Sequence, residues 1–161
     1  MIHPLVSKIH SILKKHNLKL STCESVTSGL IGSYLTSIDG SSNNYLGGLI
    51  VYNANLKMKL AHVESELINK YGTVSYEVAC QMALNTNKLV KSDVAISITG
   101  NAGSSPIENK PTGQAYLAVA ILDKVACIQV NTISKNRNDI KLEFVDLALN
   151  FLYKQLTEVD K

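Results

Sequence analysis

Five hydroxyl residues crowd into the run Leu20-Ser-Thr-Cys-Glu24-Ser25-Val-Thr27-Ser28-Gly29, and three of them, Ser25, Thr27 and Ser28, follow Glu24. A β-competent stretch ends there, at about 18–23, and Leu30, Ile31, Tyr34, Leu35 and Ile38 then recur at helical spacing over about 27–38. A strand-to-helix corner sets short polar side chains beside unpaired backbone N–H groups at the positive end of a helix. Such a corner can hold an anion, or the oxyanion made when a hydroxyl attacks a carbonyl. The plain alternative is that Ser25 or Thr27 only caps the helix.

Two other segments offer chemistry. Residues 51–57 supply Tyr52, Asn53 and Lys57 at a strand end and helix start; residues 99–103 form a glycine-bearing turn, Thr99-Gly100-Asn101-Ala102-Gly103, whose loop runs through Lys110 to Gly113. In open α/β sheets ligands gather where strands end and loops diverge, so these segments are expected to converge with the corner on one sheet edge. No histidine suits a Ser-His-Asp relay: His3, His10 and His16 lie in or beside the first helix and His62 between two others. A serine activated by a lysine remains, and it needs an amine desolvated enough to lose its proton. Lys57, expected on the buried side of a short helix, is the candidate. Arg137 is the only arginine in the chain, which points to a bidentate contact or to a surface charge opening the last helix.

The elements that must position these groups read α-β-α-β-α-α-α-β-β-β-α. Helices are expected at 4–16, 27–38, 54–61, 64–71, 76–91 (with Val78, Met82 and Leu89 inward) and 137–156, and strands at 18–23, 45–52, 93–99, 113–122 and 125–133. Asp123-Lys124 reads as the tight hairpin between the last two strands. The glycine pair Gly47-Gly48 marks a strand whose backbone is closely approached. This order predicts a three-layer α/β/α sandwich with a mixed, largely parallel sheet and a C-terminal hairpin plus helix, in one domain over 1–161.

Composition narrows the class. The chain has 161 residues, 45% of them apolar, and a formal net charge of +3. That charge is too small to argue for nucleic acid, and no membrane span or secretory signal is visible, so a cytoplasmic protein is expected. Cys23, Cys80 and Cys127 are widely spaced and odd in number, so they read as reduced packed thiols forming no metal or redox pair. No metal or organic cofactor is expected. Glycine-flanked strands and an apolar hairpin predict self-association as a dimer or larger.

In ordered motifs the chain resembles the CinA carboxy-terminal domain family, typified by the nicotinamide mononucleotide deamidases. The family corner Ala-Glu-Ser-Cys-Thr-Gly-Gly is matched by Cys23-Glu24-Ser25-Val26-Thr27-Ser28-Gly29, and its Gly-Ser-Ser turn by Gly40-Ser41-Ser42. Thr-Tyr-Ser-Asn-x-x-Lys is matched by Val51-Tyr52-Asn53-Ala54-Asn55-Leu56-Lys57, and Gly-x-Val-Ser by Gly72-Thr73-Val74-Ser75. Thr99-Gly100-Asn101-Ala102-Gly103-Ser104 stands for Ser-Gly-x-Ala-Gly-Pro, Lys110-Pro111-Thr112-Gly113 keeps Lys-Pro-x-Gly, and Lys135-Asn136-Arg137 replaces Gly-Asp-Arg.

The resemblance implies hydrolysis of the carboxamide of nicotinamide mononucleotide to the nicotinate nucleotide and ammonia. Ser25 would be the nucleophile, Lys57 its base, Tyr52 an orienting partner of the lysine, and Thr27 with nearby amides the oxyanion donors. Glu24, Ser28, Gly29, Ser42 and Asn53 would surround the substrate from one side. Thr99, the turn Gly100-Asn101-Ala102-Gly103, Lys110, Gly113 and Arg137 would do so from the other; apart from the resemblance, the fit of a bidentate fork to phosphate leads us to expect Arg137 and Lys110 on that group. The chain departs from the family pattern at Val26, Ser28, Ala54 and Ser104. The alternatives are a catalytically weak or inactive nucleotide-binding module that acts through a protein partner, and a generic phosphate-binding domain.

Overall fold

The structure, a computed structural model, describes residues 2–161. Five strands form one mixed sheet in the order β2-β1-β3-β4-β5, with β1 Leu20–Glu24, β2 Tyr45–Ile50, β3 Val94–Gly100, β4 Gln114–Ile121 and β5 Lys124–Asn131. The β1 strand pairs in parallel with both β2 and β3, whereas β4 runs antiparallel to β3 and to β5. All strands but β4 therefore point the same way, as the predicted largely parallel sheet requires.

Helices cover both faces. On one, α1 (Pro4–Lys15), α2 (Leu30–Leu35) and α6 (Arg137–Val159) bury Ile9, Leu13, Ile31, Phe144 and Leu149 against Leu20, Ile96, Ile98 and Leu117. On the other, α3 (Ala54–Lys59) and α4 (Ser65–Tyr71) flank α5 (Tyr76–Val90), whose Val78, Ala79, Met82 and Ala83 pack on Cys23, Val51, Ala118 and Ala120. A 3-10 turn, Ser41–Asn43, precedes β2. No helix among the described residues is long and apolar enough to cross a membrane.

Three local expectations shift. The helix expected at 27–38 begins only at Leu30, because Ser28 (φ 46°) and Gly29 (φ 103°) take the left-handed region and cannot wind into an α-helix. Leu89 is half exposed, since the inward stripe of α5 continues through Thr86 and Asn87 instead. The hairpin turns at Leu122-Asp123, one position early, with Leu122 at φ 56° and Ile121 paired to Lys124. Gly48 meets its expected close approach: a Cβ there would strike Thr22 of β1.

The corner after β1 is built around Glu24, which is 1% exposed. Its Oε1 accepts from the Thr27 hydroxyl at 2.6 Å and from the Gly29 and Ile31 N–H groups, and its Oε2 accepts from Gly32 N–H at 3.0 Å. One carboxyl thus satisfies the donors at the start of α2 that would otherwise be orphaned. Removing it leaves three buried or part-buried N–H groups without partners. Glu24→Ala is expected to lower unfolding free energy by about 3 kcal/mol in urea titrations; a loss below about 1 kcal/mol would show that α2 finds other acceptors.

Candidate active site

Sheet register brings the reactive groups together. Glu24 at the end of β1 pairs with Ile50 of β2 and Ile98 of β3, so the carboxyl ends of the three parallel strands align. The next bonds continue that alignment: Val51 N–H donates to Glu24 O at 2.8 Å, and Ser25 N–H to Ile98 O at 3.1 Å. Gly100 pairs with Ala115, so the 101–113 loop leaves from the same edge. Arg137, opening α6, reaches it as well: its Nη2 donates to the Tyr52 phenol oxygen at 2.8 Å.

Asn53 caps α3 through a bond from Leu56 N–H to its Oδ1 at 2.9 Å, and one turn later Lys57 points back under the corner. Its side chain is 2% exposed. Lys57 Nζ lies 3.0 Å from Ser25 Oγ, 2.9 Å from Val51 O and 3.3 Å from Tyr52 O. Burial pulls its pKa from the usual 10.5 down to about 8, with Cys23 and Glu108 charges pulling weakly the other way. A neutral amine has two N–H donors and one lone pair. The carbonyls of Val51 and Tyr52 take the donors, which leaves the lone pair for the Ser25 hydroxyl proton. In the charged form the third N–H donates to Ser25 Oγ, and Ser25 Oγ has Tyr52 O at 3.4 Å.

A cavity of about 130 Å3 opens over this pair. Ser25, Val26, Tyr52, Lys57, Thr99, Gly100, Asn101, Ala102, Gly103 and Arg137 line it, together with Thr73 and Val74 of the Gly72-Thr73-Val74-Ser75 motif and Ile107, none of which was expected at the site. Small-molecule pockets commonly hold about 300–1,000 Å3, so this one takes the reacting end of a ligand rather than the whole. The backbone N–H groups of Val26 and Ala102 have no acceptor among the described residues, and both residues line the cavity. The N–H following a nucleophile is a recurrent oxyanion donor.

Several expected roles take a different form. The Thr27 hydroxyl is spent on Glu24, and Glu24 itself is an α2 cap closed off from the cavity. Ser28 and Gly29 offer no free amide, since Ser28 N–H donates to Ser25 O and Gly29 N–H to Glu24; the Ser28 hydroxyl accepts from Lys141 Nζ at 3.3 Å. Tyr52 holds Lys57 through its carbonyl, while its half-exposed phenol faces Arg137. Ser42 sits in the 3-10 turn and Asn53 is the α3 cap, both outside the cavity lining.

The second group of candidates divides as well. The Thr99 hydroxyl donates to Thr73 O at 2.7 Å. Asn101, fully buried, ties its own loop through Ser105 O, Lys110 O and Gly103 N–H. Gly113 acts through backbone bonds to Asn101 and Thr132. Lys110 lies off the cavity: its ammonium donates to Tyr71 O at 3.1 Å and lies 3.8 Å from Glu108. Glu108, unmarked by any motif, clasps Thr73 and Val74 by accepting from both N–H groups and the Thr73 hydroxyl. Burial works against its charge, yet the bonds from Val74 and Thr73 and the nearby Lys110 hold its carboxyl below the usual range.

Comparison with known proteins follows the same lines. The model of the CinA C-terminal domain family matches residues 2–156. Protein MG115 of Mycoplasma genitalium is 37% identical over 147 residues, covering 91% of this chain and 94% of that protein. A putative competence-damage inducible protein of Bacillus cereus is 35% identical over 152 residues, covering 94% of this chain but 37% of its own length. The chain thus spans little more than a third of that relative. Among solved structures, the competence/damage inducible protein CihA of Agrobacterium tumefaciens superposes with a TM-score of 0.89 at 31% identity, covering 95% of this chain and 93% of that one. A CinA superfamily protein of Klebsiella pneumoniae reaches a TM-score of 0.92 at 21% identity, with 96% of each chain covered, and shows likeness of fold.

The depressed pKa of Lys57 has a stability signature. Between about 8 and 10.5 the unfolded chain holds a proton on Lys57 that the folded chain has released. The lysine's contribution to stability is therefore full above 10.5 and is lost as pH falls through about 8. Relative to Lys57→Met, the wild type is expected to gain on the order of 3 kcal/mol between pH 7 and pH 10.5. Parallel stability profiles for the two proteins would contradict a desolvated amine.

Proposed function

Since the chain belongs to the CinA C-terminal domain family, we propose that it is an amidohydrolase that converts nicotinamide mononucleotide to the nicotinate nucleotide and ammonia. The observation that carries this reading is the buried Lys57 amine at 3.0 Å from Ser25 Oγ, with a pKa of about 8. Ser25 Oγ attacks the carboxamide carbon while its proton passes to Lys57 Nζ, and the carbonyl oxygen becomes an oxyanion facing the free N–H groups of Val26 and Ala102. The tetrahedral species collapses as Lys57 returns that proton to the nitrogen, which leaves as ammonia. Water, deprotonated by the same amine, then attacks the acyl-serine and frees the carboxylate.

Shape and charge support the same class of substrate. The cavity suits an aromatic carboxamide, and the rest of a nucleotide would project past Tyr52 and Arg137 at its rim. A guanidinium there fits a phosphate bidentately. Lys110 leaves this role, being held by Tyr71 O and Glu108 instead.

Ammonia release from nicotinamide mononucleotide by the purified chain tests the proposal. Lys57→Met is expected to lower kcat by about 10²–10⁴-fold, and Ser25→Ala to leave no acyl-enzyme detectable by mass spectrometry. Wild-type protein that binds the nucleotide but releases no ammonia would favour the binding module acting through a partner.

The pH profile offers a separate check. Catalysis needs Lys57 uncharged in the free enzyme, so kcat/KM should rise with pH and level off above a midpoint of about 8. A profile flat from pH 6 to 9 would remove Lys57 as the base.

A further inference from the structure

Cys80 and Cys127 are 47 positions apart and show no motif, but the fold brings both into one cluster on the α5 face of the sheet. Cys80 lies on α5 and Cys127 on β5, whose residue pairs with Ala118 of β4. Both join the small-residue cluster formed with Ala79, Ala83, Ala118 and Ala120. Cys127 Sγ donates to Tyr76 O at 3.9 Å, the carbonyl one helical turn before Cys80. Cys80 and Cys127 are close enough for each to shift the ionisation of the other. Both are free; Cys80 is nearly buried and Cys127 partly open to solvent.

We propose that Cys80 and Cys127 form a reversible intrachain disulfide, a modification site separate from the Ser25–Lys57 centre. Two features make it feasible. The other buried members of the cluster are all alanines, whose small side chains let helix and sheet pack closely. In addition, β5 is an edge strand, so it can shift toward α5 without breaking pairs on its outer side. A bond of about 2.05 Å requires the Cα atoms to come within roughly 4.4–6.8 Å of each other, which this freedom of β5 serves.

The chemistry balances with a hydroperoxide as oxidant. One thiolate attacks the peroxide oxygen, forming a sulfenic acid and releasing water or alcohol; the second sulfur then displaces water from it and closes the disulfide. Two electrons pass from the two sulfurs to the peroxide. Cys23 takes no part: it is fully buried and its thiol is pushed up to about 11 by that burial.

The test is peroxide treatment of the full chain followed by alkylation and intact mass measurement. A loss of about 2 Da, reversed by dithiothreitol and absent from Cys80→Ser and from Cys127→Ser, is expected. The oxidised chain should also unfold roughly 5–10 °C higher than the reduced one. Three alkylatable thiols in the oxidised and then unfolded chain rather than one, a disulfide between chains on a non-reducing gel, or stepwise sulfinic acid on one cysteine would each overturn the proposal. Should either serine variant fail to fold, peptide mapping of the oxidised wild type for the Cys80–Cys127 cross-link decides the matter alone.

Discussion

Burying an amine is the constraint around which the Ser25–Lys57 edge of the sheet is organised. An ammonium that loses its hydration shell is destabilised relative to the neutral form, and only fixed dipoles can compensate. Here the dipoles are the carbonyls of Val51 and Tyr52, released from sheet pairing because β2 ends at Ile50. They take the lysine's donors and aim its remaining valence at Ser25. Each upstream feature serves that placement: parallel register aligns the ends of β1 and β2, and the Asn53 cap starts α3 in time for Lys57 to turn inward within one turn.

A second buried ionisable group, Glu24, shares the corner without sharing the chemistry. Because its carboxyl satisfies the start of α2, Ser28 and Gly29 can adopt left-handed backbone and the chain can turn sharply after Ser25. That turn leaves the Val26 N–H without an acceptor beside the nucleophile. The departure from glycine at Ser28 is accommodated by left-handed dihedral angles and by a contact to Lys141. The Val26 departure changes the side chain lining the cavity and leaves its backbone donor in place.

What could be read from the chain in advance follows from how local each signal is. Element order was legible because apolar periodicity and glycine punctuation are local, and the pairing of Ser25 with Lys57 followed from strand ends that parallel sheets align. The glutamates were harder. Glu24 sits next to Ser25 in sequence, which suggested a substrate contact, although its hydrogen bonds run three to eight positions forward to the start of α2. Glu108 carried no signal, because its partners Thr73 and Val74 are remote in sequence and joined only by tertiary folding. The cysteines illustrate the same limit: spacing argued against any pair, yet α5 crossing β5 brings two of them together. Thr27 lies at the corner and Tyr52 just past the end of β2, but which atom of each makes the contact depends on side-chain direction that periodicity does not encode.

The central claim is that residue 57 carries an amine poised to lose its proton near neutrality, and its titration can be observed directly. The Cε carbon and attached protons of Lys57, assigned by comparison with Lys57→Met in selectively labelled protein, should titrate with a midpoint near pH 8. A midpoint near 10.5, shared with the surface lysines, would mean that the amine stays charged beside Ser25 and that the nucleophile has no base.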